Sequence, residues 1–333
     1  MIPAMAFFTV SMIVFEPIIP EVIIERLGGT FDISGQSFFL LLLLTVLLGF
    51  TLTSLNTFTY KVFEGYVLLW RIPYLRKNEI KRARSRKRIE KTLNRRISRL
   101  ENSWSSKAIQ KRNVLISQRD QLITEYDHDF PFSEKEFMPT QFGNILKAAE
   151  AYPRTRYQID AVPIWPRLIH VVPEEYFSKV DQLSNQLSFL MNCTILALLF
   201  SCANFVASIY QYFLFRRIST GNTQPPLYFI DLIDNPKFYI QNAEIYIFIF
   251  LAALFVTIVF RKATILVIRE YGDLIRSTYD LFRLNLIEHL KLEMPETLLD
   301  EIDLWEEICD FFNKGNPEEL IDFKYHYKSE SAS

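Results

Sequence analysis

The chain has 333 residues and a net charge of −1, and 50% of its residues are hydrophobic and 15% aromatic. This composition excludes an intrinsically disordered or fibrous protein, because neither class carries so many residues that must be buried. The apolar residues cluster in runs longer than the strands and helices of soluble domains, which predicts an all-α integral membrane protein.

Four apolar stretches are candidate membrane-spanning helices. A helix needs about 20 mostly apolar residues to cross a bilayer. Residues 38–58, 187–215 and 245–260 meet or approach this length and contain no charged residue. The first stretch, residues 2–24, is interrupted by prolines and glutamates in its second half, so we expect a kinked or partial span that is retained in the mature protein. The sequence therefore predicts about four transmembrane helices.

Charge is distributed unevenly along the chain. Residues 71–99 contain thirteen Lys and Arg against two Glu, a net charge of +11. Residues 286–333 contain thirteen Asp and Glu against four Lys, a net charge of −9. Because basic loops stay on the cytoplasmic side of a membrane, we expect residues 59–186, the C-terminal region and both termini to be cytoplasmic, and residues 216–240 to form an outer loop.

These features predict six segments along the chain. In order they are a first transmembrane pair (1–60), a cytoplasmic basic helical arm (61–130), a juxtamembrane segment rich in proline and aromatic residues (131–186), a second transmembrane pair (187–262), cytoplasmic amphipathic and acidic helices (263–315) and a weakly ordered tail (316–333).

The basic arm is expected to form a helical hairpin or a coiled coil. Its first helix carries an apolar stripe at spacings of three and four residues, a candidate interaction face formed by Ile89, Leu93, Ile97, Leu100 and Trp104. A break at residues 102–106 (NSWSS) separates it from a second helix. Its basic charge is compatible with a solvated face near anionic lipid, with docking against the acidic C-terminal segment, or with nucleic acid. Nucleic acid is the least favoured, because no groove-reading motif is present.

Two further sets of residues are candidates for structural contacts. The acidic helix near the C-terminus has a stripe that includes Leu299, Ile302 and Trp305 and needs a packing partner. Charged side chains are expected to form structural ion pairs, with one buried cluster in the proline-rich segment and one pair after the fourth span: Arg154, Arg156, Asp160 and Arg167, and Asp280 with Arg283.

Sequence motifs give no indication of catalysis. No spaced pair of histidines, no phosphate-binding glycine loop and no nucleophile motif occurs, so we expect no cofactor, no metal and no enzymatic activity. Five polar residues in or near the apolar stretches are candidates for a hydrated path: Glu16, Glu21, Asn192, Asn204 and Gln211. The alternative is that the two glutamates mark the end of a span and that the amides form interhelical hydrogen bonds.

Three blocks resemble sequences that recur in uncharacterised bacterial multi-pass membrane proteins. They are LNTFTYKVFEGY (55–66), PTQFGNILKAAEAYPRTRYQIDAVPIWPRL (139–168) and REYGDLIRSTYDLFRLNLIEHLKLEMPETLLDEIDLW (269–305). The resemblance implies a bacterial inner (plasma) membrane location and a joint role for the three blocks, and it implies no catalytic residue. It also implies glycine at the position of Gln158.

Three functions follow as hypotheses. The first is a non-enzymatic membrane scaffold or sensor, whose cytoplasmic platform binds a partner protein or further copies of the chain in a homo-oligomer. The second is an oligomeric pore or transporter, or a membrane-disrupting effector of a bacterial defence system. The third is a membrane-bound enzyme, for which the sequence offers the least support.

Overall fold

A computed structural model describes residues 35–67, 71–102, 104–219 and 236–314, and these residues form helices and no strand. The predicted all-α class is confirmed. The predicted stretch at residues 2–24, most of the loop at 216–240 and the tail at 316–333 lie outside the described residues. The helices are α1 (Gly35–Ser54), α2 (Asn56–Glu64), α3 (Pro73–Leu100), α4 (Ser106–Asp129), α5 (Gln141–Tyr157), α6 (Ala161–Leu168), α7 (Glu174–Ser219), α8 (Pro236–His289) and α9 (Leu298–Lys314).

The chain forms two compact units. Unit 1 comprises the described parts of Met1–Thr59 and Leu187–Thr264, and unit 2 comprises the described parts of Tyr60–Gln186 and Ile265–Ser333. The long helices α7 and α8 contribute residues to both units.

Within the described residues, two helices are long and apolar enough to cross a membrane: Glu174–Phe213 in α7 and Glu244–His289 in α8. A shorter apolar helix is found at Thr45–Ser54 in α1. The four predicted spans are therefore not confirmed, whereas two span-length helices are present.

Unit 1 has the polarity expected of a helix pair surrounded by lipid. In the most apolar 18-residue stretch of each helix, only 33% of the residues are buried in α7 and 11% in α8. Phe205 and Val206 of α7 are exposed, whereas Ser201 and Asn204 of the same helix are buried. The two helices contact each other where Ser201 donates a 3.2 Å hydrogen bond to the carbonyl oxygen of Phe250. The core helix of a water-soluble protein has the opposite arrangement, so this pattern supports membrane association.

In unit 2, α3 and α4 form an antiparallel hairpin. The guanidinium of Arg86 donates to the carbonyl oxygen of Glu125, and that of Arg82 donates to the carboxylate of Asp129, so residues near the start of α3 lie beside residues near the end of α4. Pro73 lies in the first turn of α3, where proline is tolerated because its missing N–H would have no helical partner. At this end of the hairpin, Ala83 packs with Phe130 and Phe137.

The largest core of unit 2 gathers α5, α6, α9 and the last turns of α8. Its fully buried side chains include Ile164, Tyr279, Leu286, Trp305 and Ile308. The acidic helix α9 therefore has its packing partner within the same unit, and its buried stripe contacts α5 and α6. Among the described residues, the main helix contacts of α9 are with α5 and α6.

The start of α5 fixes the end of α2. Thr140 caps α5 by accepting a 2.9 Å hydrogen bond from the N–H of Gly143, and its hydroxyl donates to the carbonyl oxygen of Phe63 at 2.6 Å. A Cβ atom at Gly143 would lie 2.3 Å from the carbonyl oxygen of Glu64. Only glycine permits this close approach of the two backbones.

Candidate functional site

One face of α8 in unit 2 carries five charged side chains at alternating spacings of four and three residues, which places them along a single helical face. The five residues are Arg269, Asp273, Arg276, Asp280 and Arg283. Arg269, Asp273 and Arg276 contact the end of α4, Asp280 contacts α5 and Arg283 contacts α9.

Asp129, the last residue of α4, is the most buried carboxylate in this arrangement, with 1% of its side chain exposed. Arg269 donates to it from Nε at 2.8 Å and from Nη2 at 2.9 Å. Arg86 lies 2.9 Å and Arg82 3.3 Å from the same carboxylate, and Arg82 also pairs with Glu79 at 3.1 Å. Asp129 thus holds two arginines of α3 and one of α8. The sequence analysis did not find it, because its three partners are distant in the chain.

The carboxyl end of α4 is also capped by α8. Arg276 donates to the carbonyl oxygens of Asp127 and His128, each at 3.4 Å, and pairs with Asp273 at 2.7 Å. Nδ1 of His128 lies 2.9 Å from the carboxylate of Asp273. Cations stabilise the negative end of a helix dipole, so these contacts fix the hairpin to α8.

Asp280 and Arg283, predicted as a pair, do not join through their side chains. The carboxylate of Asp280 accepts hydrogen bonds from the hydroxyls of Tyr157 at 2.7 Å and Tyr152 at 3.0 Å. Burial, followed by the hydrogen bond to Asp280, raises the pKa of Tyr157 to about 12. Arg283 donates from Nε to Glu301 of α9 at 2.6 Å.

The buried ion-pair cluster predicted for the proline-rich segment is largely absent. Arg154 and Asp160 lie 3.3 Å apart, but the Arg154 side chain is 53% exposed. Arg156 lies over the ring of Tyr152, and Arg167 lies 3.7 Å from the ring centre of Phe312. The aromatic side chains that surround these arginines provide cation–π contacts, which the charge pattern alone did not indicate.

The predicted interaction stripes are only partly accessible. On α3, Leu93, Ile97 and Leu100 are half-buried in a hairpin whose two helices pack together. Ile89 is half exposed, and Trp104 is 91% exposed. On α9, Leu299 is exposed, Ile302 is half-buried and Trp305 is fully buried. Most of both stripes therefore stabilises unit 2 itself.

The basic residues of the hairpin include two groups that differ in their ion pairs. Near the start of α3, Arg82, Arg84 and Arg86 each pair with a carboxylate. Farther along, no ion pair forms within the described residues for a second group, here called the hairpin cations: Arg88, Lys91, Arg95, Arg96, Arg99, Lys107, Lys111 and Arg112. All of the hairpin cations except the half-buried Arg112 are exposed.

Unit 1 contains buried side-chain amides whose oxygens have no hydrogen-bond partner among the described residues. They belong to Asn56, Asn192, Asn204 and Gln211. The amide nitrogen of Asn204 donates to the carbonyl oxygen of Phe200 at 2.8 Å. Asn204 and Gln211 are seven residues apart and lie on the same face of α7 as Ser201 and Ser208, which are also buried. Glu16 and Glu21 lie outside the described residues.

A cavity of about 350 Å³ opens in unit 2. All but one of its lining residues belong to the three sequence blocks: Tyr60 from the first, Leu146, Glu150, Ala161, Val162, Trp165 and Pro166 from the second, and Tyr271, Ile275 and Tyr279 from the third, with Ser184 completing the lining. The three blocks, which are distant in sequence, therefore meet at one place.

The cavity has an aromatic wall and a single charged side chain. The rings of Trp165 and Tyr279 have centroids 6.1 Å apart, and the Tyr279 hydroxyl is held by a 3.0 Å hydrogen bond to the carbonyl oxygen of Ala161. Glu150 is the charged lining residue, and one of its oxygens accepts a 3.2 Å hydrogen bond from Lys147. A lining of this size and composition is typical of a site for a small organic molecule.

Among the described residues, no group of three or more His, Cys, Asp or Glu side chains is placed to hold a metal ion. The comparisons with known proteins give no relative: no family model matches the chain, and no curated protein or solved structure matches it.

Proposed function

We propose that this chain is a non-enzymatic scaffold or sensor of the bacterial inner membrane, anchored by multiple spans, whose unit 2 is a cytoplasmic platform for self-assembly. The supporting observation is the contrast within the hairpin. Arginines near the start of α3 are engaged by carboxylates, whereas the hairpin cations have no ion pair among the described residues. The ion pairs within unit 2 account for the positive charge of the first group. The second group has no such role in the described part of the chain and is available to bind a partner.

The acidic helix α9 supplies complementary charge on another copy. Its inward face is buried, while its outer face exposes carboxylates that include Asp300, Asp303, Glu306 and Glu307. Within one copy, the main helix contacts of α9 among the described residues are with α5 and α6. Contact between the hairpin cations of one copy and the outer face of α9 in the next copy would neutralise both surfaces. Exposed charges are screened by salt, so this assembly should dissociate at high ionic strength.

Paired charge reversals test the proposed assembly. We expect the full-length protein in non-ionic detergent to be oligomeric at low salt, as measured by light scattering coupled to size-exclusion chromatography. Arg95→Glu with Arg99→Glu should give a monomer, and so should Glu306→Lys with Glu307→Lys. Mixing the two variants should restore association, because each then presents a surface that the other complements. Lys179→Glu, an exposed charge reversal outside both surfaces, is the control.

A monomeric wild-type protein at low salt would contradict self-assembly. Association that survives both reversals would show that the hairpin and α9 are not the contact surfaces. In either case the membrane anchoring proposed for unit 1 would be unaffected, since it rests on α7 and α8.

An oligomeric pore is the second candidate, and one observation favours it. The amide oxygens of Asn204 and Gln211 are buried and have no partner among the described residues, and an unsatisfied polar group in apolar surroundings is costly. Water or ions in a path along this face of α7 would satisfy them. We expect Asn204→Leu to reduce ion leak from liposomes that contain the protein, with Cys202→Ser on the exposed face of α7 as the control. Equal leak from wild-type and protein-free liposomes would exclude conduction under these conditions.

A further inference from the structure

The cavity of unit 2 combines aromatic faces with one negative charge. Among its described lining residues, four are aromatic (Tyr60, Trp165, Tyr271 and Tyr279), one is the carboxylate Glu150 and none is basic. Aromatic faces carry partial negative charge and attract cations, most strongly when water is excluded. Both kinds of lining group therefore favour a positively charged guest over an anion.

Glu150 has capacity for a further partner. Lys147 donates to its Oε2 at 3.2 Å, and Oε1 accepts no hydrogen bond among the described residues. Lys147 itself does not line the cavity. A cation inside the cavity would thus meet a carboxylate that is already paired with Lys147 through one oxygen, in a lining that also includes three tyrosines and a tryptophan.

Two residues of the wall are held in place by contacts within unit 2. The hydroxyl of Tyr279 donates to the carbonyl oxygen of Ala161 at 3.0 Å, and its ring packs beside that of Trp165. Tyr271 is half-buried. The cavity is therefore formed before any ligand binds, which lowers the entropic cost of binding.

We propose that this cavity binds a small alkyl-ammonium compound, with the cationic group between the aromatic rings and Glu150. The volume of about 350 Å³ lies within the range of small-molecule sites, about 300–1,000 Å³. The apolar lining residues Leu146, Val162 and Ile275 contact the alkyl groups of the guest. This inference goes beyond the proposed scaffold function, because the cavity includes none of the hairpin cations and none of the outer carboxylates of α9.

Calorimetric titration of the full-length protein in non-ionic detergent tests the proposal with choline as the probe. The control ligand is the uncharged isostere of choline, in which a tert-butyl group replaces the trimethylammonium group. We expect choline to bind at least about tenfold more tightly than this isostere, because only choline gains the cation–π and carboxylate interactions. Glycerophosphocholine is the second probe: tighter binding than choline would indicate a lipid-derived ligand, and weaker binding a free organic cation.

Two lining variants and one matched control separate the site from non-specific binding. Glu150→Gln and Tyr271→Leu should each weaken choline binding about tenfold or more. Glu174→Gln, which removes an exposed carboxylate outside the cavity, should leave it unchanged. Helix content and elution volume verify folding of each variant, and Trp165→Leu replaces any variant that fails this check. Equal affinity for choline and its uncharged isostere, absence of binding by both, or unchanged affinity in the lining variants would overturn the proposal.

Discussion

Arg269 of α8 donates two hydrogen bonds to the carboxylate of Asp129 of α4, one from Nε at 2.8 Å and one from Nη2 at 2.9 Å. This pair joins the hairpin to α8 across 140 residues of sequence. Because Arg82 and Arg86 share the same buried carboxylate, the substitution Asp129→Asn would leave Arg269 and Arg86 without the carboxylate that they share and Arg82 with only Glu79. We expect it to lower the free energy of unfolding by about 3–5 kcal/mol, measured by thermal unfolding in detergent followed by circular dichroism.

Asp120→Asn is the control for this change. Asp120 is an exposed carboxylate of α4 that pairs only with its neighbour Arg119 among the described residues, so its loss should alter stability by no more than about 0.5 kcal/mol. Equal effects of the two substitutions would show that Asp129 does not stabilise the contact between the hairpin and α8.

Glu64 at the end of α2 should make stability depend on pH. Burial, and then repulsion from Glu150, raises the pKa of Glu64 to about 7, while Lys147 and Lys61 act in the opposite direction. The folded chain therefore holds this proton more tightly than the unfolded chain, whose glutamate has a pKa of about 4.3. The contribution of Glu64 to stability should fall as pH rises from about 4 to about 7 and stay constant above that.

The difference in melting temperature between Glu64→Gln and the wild type isolates this effect from all other titrating groups. The melting temperature of the variant should rise relative to that of the wild type between about pH 5 and about pH 7, and the difference should then stay constant. A difference that is independent of pH would contradict the shifted pKa.

Gly143 and Gly272 form a matched pair of helical glycines. A Cβ atom at Gly143 would lie 2.3 Å from the backbone oxygen of Glu64, whereas one at Gly272 would make an ordinary 3.4 Å contact with Ala149. We expect Gly143→Ala to destabilise the protein by about 1–3 kcal/mol or more through this overlap. Gly272→Ala should be neutral or stabilise by up to about 1 kcal/mol, because alanine is the better helix former. Thermal unfolding of both variants gives the comparison, and a reversed order would refute the close backbone approach.

Gln158 ends α5 in the left-handed conformation, with φ of 59°. Left-handed geometry costs a residue with a Cβ atom about 1–2 kcal/mol, and glycine adopts it freely. Since the Gln158 side chain is exposed, we expect Gln158→Gly to raise the free energy of unfolding by up to about 1 kcal/mol. Gln158→Ala, which keeps the Cβ atom, should give no such gain, and equal stabilisation by both would remove the backbone explanation.

Local sequence patterns predicted the helices of this fold better than they predicted the contacts between those helices. The NSWSS break after Glu101 does separate α3 from α4, and the apolar spacing on α9 does correspond to buried side chains such as Trp305 and Ile308. The first signal is a run of residues that can cap a helix, the second is apolar periodicity, and each lies within a short segment. Asp129, in contrast, gave no signal, because its importance comes from arginines on two other helices.

The lining of the cavity could not be predicted from the sequence either. The sequence marked the three blocks as related, yet nothing within a block shows that Tyr60, Trp165 and Tyr271 line a common space. Likewise, counting charges near Arg167 predicted ion pairs, while the structure places that side chain over the ring of Phe312. Non-local packing decides which aromatic or acidic group an arginine meets, and one sequence does not encode that in its spacing.

The charged face of α8 makes its neighbours mechanically interdependent. Because the five side chains from Arg269 to Arg283 repeat at helical spacing and their contacts reach α4, α5 and α9, a one-turn slip of this helix cannot release the contacts to one of these elements and preserve those to the others. The hairpin, α5 and α9 would lose their attachments in concert. A displacement of α8 that starts at one of these elements would therefore break the contacts of the other two at the same time.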